Sequence, residues 1–354
     1  MSEYSSKLRA AYEAQRGLYK QFTERNVLLL SDIFEENHDF QAIEHRTKDL
    51  DSFEEKVDLP EKEQKYADFS DVTDLCGIRI ICFLNEDADR ICERLSEIYE
   101  IDEENSVNKD EQLDINQFGY RSRHFVVQYD AKRAALAENS QFGGLKAEIQ
   151  VRTILQHAWA AIDWKLRYKN SAETPKELRR RVFRVSALLE LADDEFSSLS
   201  SSVSKLREDY RVKIESGDFE IGIDRESVDI FLAENEGFEP LVEHVKTAGF
   251  SIAPNHPSAR DPYGGFISTA TSAGFSTINQ LKTEIGKVSQ DQRFKEIFEA
   301  WSLPERPPKL VVSRAGLARL ALILSTENEA ALRLASELPF GEKLQEAVIK
   351  ILSN

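Results

Sequence analysis

Residues 77–84 read Gly-Ile-Arg-Ile-Ile-Cys-Phe-Leu. That run is too apolar for a strand with one wet face, so it predicts a central strand covered on both sides. Two later stretches supply neighbours. Residues 124–129 form a second β-branched run, and residues 145–151 a third. In the third, alternation puts Glu148, Gln150 and Arg152 on one face and Ile149 and Val151 on the other. Any fold for this chain has to cover the apolar faces and give the charged ones somewhere to work.

Residues 4–35 read as one amphipathic helix, with Leu8, Ala11, Tyr12, Leu18, Phe22, Val27 and Leu30 near helical spacing. Residues 41–57 read as a strand and then a helix, with Asp51 or Ser52 as its expected N-cap. Arg46 and Lys48 are two apart and share a face in an extended chain, while Lys56 returns from the helix. Those three cations could equally be solvated surface charges. Residues 58–73 are polar, contain Pro60 and predict a loop with a short helix. Residues 86–100 predict a helix with Ala88, Ile91, Leu95 and Ile98 inward, and residues 101–117 an acidic loop. Residues 153–169 predict a helix with Ala158, Ala161, Ile162 and Leu166 inward. The order β-α-β-α-β-β-α specifies an α+β fold, a mixed sheet with helices packed on it.

Residues 174–214 predict a further helix, opened by Thr174-Pro175 and carrying Lys176, Arg179, Arg180, Arg181 and Arg184. That cluster reads either as a solvated helix face or as a rim attracting an anionic substrate. Beyond residue 215 the composition shifts. Residues 228–246 and 277–301 read helical, 254–265 as a loop, and 313–353 as two or three helices. The domains expected are a supporting helix at 1–38, a sheet domain with trailing helices at 39–214, and a mainly helical domain at 220–354. The last holds no nameable catalytic constellation, and regulation or oligomer formation are the roles open to it.

The chain of 354 residues has room for two domains, and 41% hydrophobic with 31% charged residues is a globular composition. A formal net charge of −17 weighs against a protein that coats nucleic acid, without excluding a local basic site. Cys76, Cys82 and Cys92 form no C-x-x-C pair and read as reduced structural thiols. No signal peptide opens the chain and no apolar run is long enough to span a bilayer, so the cytoplasm is the expected compartment and no membrane partner is expected.

Asp74 precedes the central strand and Glu148 lies on the third, with Arg46, Lys48, Lys56, Arg79 and Arg152 placed to surround them. Asp74 alone is a weak signal, because aspartate is common in turns. Carboxylates ringed by arginine and lysine suit a polyphosphate held with magnesium. Tyr120 follows a glycine at a strand start, where its ring can stack on a base. A Walker-type glycine loop is absent, which argues against a P-loop enzyme.

Three motifs occur in order: D-x-x-G-x-R at 74–79, G-Y-R-S-x-H at 119–124, and E-I-Q-V-R-T at 148–153 followed by H-A-W-A at 157–160. With Arg46, Lys48, Ser52 and Lys56 ahead of them, they resemble the synthetase domain of the RelA/SpoT family over residues 40–170. The resemblance implies a nucleotidyltransferase-like domain that moves the β,γ-pyrophosphate of ATP to a ribose 3′-hydroxyl, usually of GDP or GTP, making (p)ppGpp. By position it implies Asp74 and Glu148 as magnesium ligands and catalytic carboxylates. Arg46, Lys48, Lys56 and Arg79 would bind ATP, and Tyr120, His124, Gln150 and Arg152 the acceptor nucleotide. Only about 40 residues precede the synthetase-like stretch, so no hydrolase activity is expected of this chain. Nothing resembles the family's ribosome-binding modules.

Two departures bear on the acceptor. Residues 115–118 read Ile-Asn-Gln-Phe where many relatives have Pro-Lys-x-Asn, and Asp163-Trp164 replaces a Glu-His pair. The alternative is therefore a toxin-type relative that pyrophosphorylates the 3′ end of tRNA or makes adenosine alarmones. Small relatives often oligomerise, so a homo-oligomer is compatible with the resemblance.

Overall fold

The protein is described from a computed structural model. It covers residues 3–34, 40–59, 65–108, 122–168, 176–253, 262–289, 292–301, 311–326, 346 and 348–350. The chain divides into two compact units, residues 1–200 and 201–354.

The first unit opens with helix α1 (Glu3–Phe34), followed by β1 (Phe40–Thr47), α2 (Leu50–Val57), β2 (Cys76–Cys82) and α3 (Asn85–Ile98). Short strands β3 (Glu100–Ile101) and β4 (Val107–Asn108) precede β5 (Arg123–Gln128), the turn of helix α4 (Ala131–Ala134), β6 (Ala147–Thr153) and α5 (Ile154–Tyr168). The sheet runs β1-β2-β6-β5-β3, with β4 also pairing β5. β2 and β6 are parallel and the other pairs antiparallel, so the sheet is mixed and the fold is α+β. β2 lies inside the sheet between β1 and β6, as its apolar run requires.

One sheet face is apolar. Ile78, Ile80, Ile149, Val151 and Val127 are buried there with Leu8, Tyr12, Phe22 and Leu30 of α1 and with Ile91 and Leu95 of α3. Burying one such side chain is worth roughly 1.5–3 kcal/mol, and this shared burial holds both helices against the sheet. Helix α1 also braces the strand ends. The Tyr12 hydroxyl donates to the Lys48 carbonyl at 2.6 Å, and its ring stacks on Phe53 at 4.8 Å. The α2 N-cap is Asp49, whose side chain accepts from the Ser52 backbone N–H, two or three residues earlier than the alternation suggested. Among the described side chains of α5 Trp159 is the buried one, while Ile162 is 52% exposed, contrary to the expected face. The larger ring, one position round the helix, wins the buried site.

Helix α6 (Lys176–Glu215) begins with the basic stretch, and Arg180, Arg181 and Arg184 are exposed. In the first unit it is tied to β6 by Thr153 Oγ1, which donates to Asp193 Oδ2 at 2.6 Å.

The second unit contains α7 (Arg225–Glu234), α8 (Glu239–Thr247), β7 (Ser251–Ala253), α9 (Pro262–Ser272), α10 (Ile278–Val288), α11 (Gln292–Trp301), β8 (Val311–Ser313) and α12 (Arg314–Ser325). It is mainly helical and packs its own core around Phe231, Phe238, Phe266, Leu281 and the fully buried α12 residues Leu317, Ala318, Leu320, Ala321 and Leu322. The two helices read as continuous from sequence are each divided. Residues 228–246 break at a 3-10 turn, Glu236–Phe238, because Pro240 lacks an N–H and belongs in a first turn. Residues 277–301 break after Ser289, which caps α10. β7 and β8 pair in parallel, a contact between residues sixty apart that no local pattern signals.

Candidate active site

The polar sheet face is built rung by rung. Arg46 on β1 registers with Gly77 on β2, Gly77 with Glu148 on β6, and Glu148 with Val126 on β5. On the next rung Glu44, Arg79, Gln150 and His124 lie in line. Rungs on one face are two residues, about 7 Å, apart along the strands. Asp74 sits just ahead of β2 and Lys48 just beyond β1, so both close the same end of the face. The resulting cleft, about 120 Å³, is lined by Glu44, Arg46, Asp74, Gly77, Arg79, Glu148 and Gln150, among others.

Asp74 is held by two ammonium groups. Lys48 Nζ donates to Oδ2 at 2.7 Å, and Lys56 Nζ lies 2.8 Å from Oδ1. Lys48 is nearly buried, its side chain 7% exposed. Burial pushes the Asp74 carboxyl up, but the Lys56 charge and the Lys48 hydrogen bond outweigh it and hold the group below the ordinary carboxylate range. Glu148 Oε1 accepts from Gln150 Nε2 at 2.7 Å and lies 3.2 Å from His124 Nδ1. Here too burial raises the carboxyl. The His124 and Gln150 hydrogen bonds prevail and lower it, with the negative charge of Asp74 opposing them. Both carboxylates are therefore ionised near neutral pH.

Arg79 Nη1 pairs with Glu44 Oε2 at 2.8 Å. His157 of α5 comes within 4.0 Å of Glu44 Oε1. Burial, with Arg79 and Arg152 nearby, lowers its pKa against the opposing pull of Glu44. The buried polar atoms on this face with no hydrogen bond to a described residue include Arg79 Nε, His124 Nε2, Gln150 Oε1 and His157 Nδ1. Unsatisfied buried groups are costly, and their gathering on one face marks it as a place for water or ligand.

Gly77 has a structural reason. A Cβ there would stand 3.6 Å from Arg46 Cγ and from the Arg46 carbonyl, inside the cleft and under the arginine side chain. Among the described residues Arg46 makes no ion pair.

Of the residues singled out from sequence, Asp74, Glu148, Arg46, Lys48, Lys56, Arg79, His124 and Gln150 converge on this face. Arg152 lies one rung further, opposite Ile81, and is 7% exposed. Tyr120 lies outside the described residues, as do residues 115–118. Glu44 and His157 were not among the expected site residues. Glu44 was legible in principle, because it stands two residues before Arg46 and so shares its face. Nothing local places His157 opposite β1. No cluster of three or more metal-ligating side chains occurs among the described residues.

The structure is thus an α+β sheet that gathers carboxylates and cations on one face. Residues 45–173 match the model described as the region found in RelA / SpoT proteins, so the chain carries a RelA/SpoT domain. It is homologous to two proteins of Bacillus subtilis strain 168. GTP pyrophosphokinase YjbM is 26% identical over 176 residues, covering 49% of this chain and 78% of that one. GTP pyrophosphokinase YwaC is 26% identical over 184 residues, 47% of this chain and 78% of that one. Among solved structures, small alarmone synthetase 1 from B. subtilis bound to its product pppGpp is 24% identical with a TM-score of 0.45, covering 55% of this chain and 99% of that one. The same enzyme bound to AMPCPP is 23% identical with a TM-score of 0.41, covering 55% and 99%. No helix among the described residues is long and apolar enough to cross a membrane.

Proposed function

We propose that the chain is an alarmone synthetase that transfers the β,γ-pyrophosphate of ATP to the ribose 3′-hydroxyl of GDP or GTP. The observation that carries this reading is the pair Asp74 and Glu148: both half-buried, both held below the ordinary carboxylate range, with Lys48 and Lys56 on Asp74 and with Arg46 and Arg79 lining the same cleft. The names of the B. subtilis relatives point the same way.

The donor set fits magnesium. One or two hard carboxylates, here one just ahead of β2 and one on β6, with phosphate oxygens and water completing the shell, are how magnesium is usually held. Asp74 and Glu148 would hold it, and when bound it supplies charge neutralisation on the phosphoryl oxygens. Lys48 and Lys56 already compensate Asp74, and their charge lies beside the position a polyphosphate would take. Arg46, unpaired on the rung between them and Glu44, adds a further cation.

In the transfer, the 3′-oxygen forms a bond to the β-phosphorus and the bond from that phosphorus to the α-phosphate oxygen breaks, releasing AMP. The hydroxyl proton must leave. Glu148 Oε1 is engaged by Gln150, which leaves Oε2 to accept a hydrogen bond from the hydroxyl. A carboxylate held below its ordinary range is a weak base, so Glu148 orients the hydroxyl first and its Oε2 takes the proton late, as the bond to the β-phosphorus forms. His124, donating through Nδ1 to Glu148, presents Nε2 as an acceptor, and Gln150 presents Oε1. Both suit N–H or O–H donors of the acceptor nucleotide.

The test uses ATP labelled at the γ-phosphate with magnesium, offering GDP, GTP, ADP, ATP and bulk tRNA in parallel. Label in guanosine tetra- or pentaphosphate is expected, and Glu148→Gln should abolish it. Label in tRNA or adenine nucleotides alone would overturn the guanine assignment. A Glu148→Gln variant that turns over like wild type would overturn the carboxylate's role.

A further inference from the structure

Charge is graded along the polar face. At one end Lys48 and Lys56 crowd Asp74, and Arg46 is unpaired among the described residues. At the other end Arg79 is already neutralised by Glu44 at 2.8 Å. Glu44 lines the cleft with its side chain 50% exposed. Its Oε2 is spent on Arg79. Its Oε1 has His157 Nε2 at 4.0 Å, beyond hydrogen-bond length, and so keeps accepting capacity toward the cleft.

A phosphate set against Glu44 would meet a like charge and a cation already satisfied. What this corner accepts is a neutral group carrying N–H donors. A nucleoside triphosphate whose phosphates lie with Lys48, Lys56 and Arg46 extends its base toward the Glu44 rung, roughly 7 Å further along the strands. The Arg79 guanidinium, a planar cation tethered in place, offers a face to such a ring.

We propose that Glu44 is a donor-specificity residue, whose carboxylate accepts a hydrogen bond from the exocyclic amine of the donor's purine. This rests on the reading of ATP as donor, which makes that group the 6-amino of adenine. The chemistry is that of a site built to bond a polar group. It rejects the analogue lacking that group, because its own acceptor is then left unpaired.

The experiment compares ATP with purine riboside 5′-triphosphate, which has the same ring without the amine. Binding to the full chain is measured with magnesium and no acceptor, and pyrophosphate transfer is then measured with each donor. Wild type is expected to bind ATP about 10- to 100-fold more tightly, the range for one hydrogen bond to a charged group. Glu44→Ala should bring the ratio to about one by weakening ATP alone, leaving the affinity for the amine-free donor as an internal check on folding. Glu44→Gln keeps an acceptor oxygen and should show an intermediate ratio.

Equal binding of the two donors by wild type overturns the proposal, as does an undiminished preference in both variants or a preference for GTP over ATP. A wild type that prefers ATP in binding but moves pyrophosphate to no acceptor supports Glu44 and overturns the transferase reading. Transfer from both donors without preference overturns Glu44 alone.

Discussion

Lys48 Nζ sits 2.7 Å from Asp74 Oδ2, although 26 residues separate them in sequence. The pair is nearly dry on the lysine side, and Lys56 adds a second ammonium to the same carboxylate. Removing one partner of a buried pair leaves an uncompensated charge. Asp74→Asn should therefore cost about 3 kcal/mol in urea unfolding and at least about 100-fold in transfer activity. Adding Lys48→Met should recover part of the stability and none of the activity. Recovery of both would show that Asp74 only balances charge.

Gly77 is required by the cleft rather than by its backbone. Its added Cβ would meet Arg46 at ordinary contact distance, 3.6 Å. Gly77→Ala should leave stability within about 1 kcal/mol, and Gly77→Val should displace the Arg46 side chain. The expected signature is a donor KM raised about tenfold with kcat little changed, since Arg46 is read as a binding cation. An unchanged KM in the valine variant would remove Arg46 from the donor site.

His157 binds fewer protons in the folded than in the unfolded state, because its pKa is lowered by burial and by Arg79 and Arg152. As pH falls through the unfolded histidine value, about 6.5, the unfolded state gains protons first and the native state loses stability. Above that pH the group costs nothing. His157→Gln should flatten the fall in the urea midpoint between pH 7 and 5. Parallel curves for variant and wild type would mean that His157 is not held neutral.

The carboxylates run the opposite way in mechanism. Asp74 and Glu148 are lowered, so the stability they contribute is present above the ordinary carboxylate range and lost as pH falls through it and below. Glu148→Gln should make the protein less sensitive to acid below about pH 4, while leaving its behaviour between pH 6 and 8 unchanged.

Burial pushes the Cys76 and Cys82 thiols up to about 12, whereas Cys92 is only half-buried. Native protein at pH 8 should titrate at most one thiol with a disulfide reagent, and urea-unfolded protein three. Two fast thiols in the native state would mean that the sheet opens on the β2 side.

Thr153 closes the third motif and donates to Asp193, which is 4% exposed. Thr153→Val should cost about 1–3 kcal/mol, and Thr153→Ser much less. Equal losses would assign the effect to packing instead of the hydroxyl.

Local pattern was enough to read much of the first unit. The unbroken apolar run at β2 demanded a central strand, and alternation in β6 separated Glu148 and Gln150 from Ile149 and Val151. Helical spacing found α1 and α3. These are short-range consequences of side-chain period and burial. The boundaries in the second unit were less legible, because capping residues such as Ser289 and the first-turn Pro240 divide helices whose apolar spacing continues across the break. Its parallel β7–β8 pair joins segments sixty residues apart.

By itself the sequence determined which residue types could form the site, and which strand face each would take. Only the tertiary structure decided which of them meet. Strand register put Glu44 against Arg79, and the packing of α5 brought His157 to the same corner. The fold around α1 and α2 aimed Lys48 and Lys56 at one carboxylate. Side-chain period is a property of a segment, whereas register and helix docking are settled by contacts between segments, which no window along the chain contains.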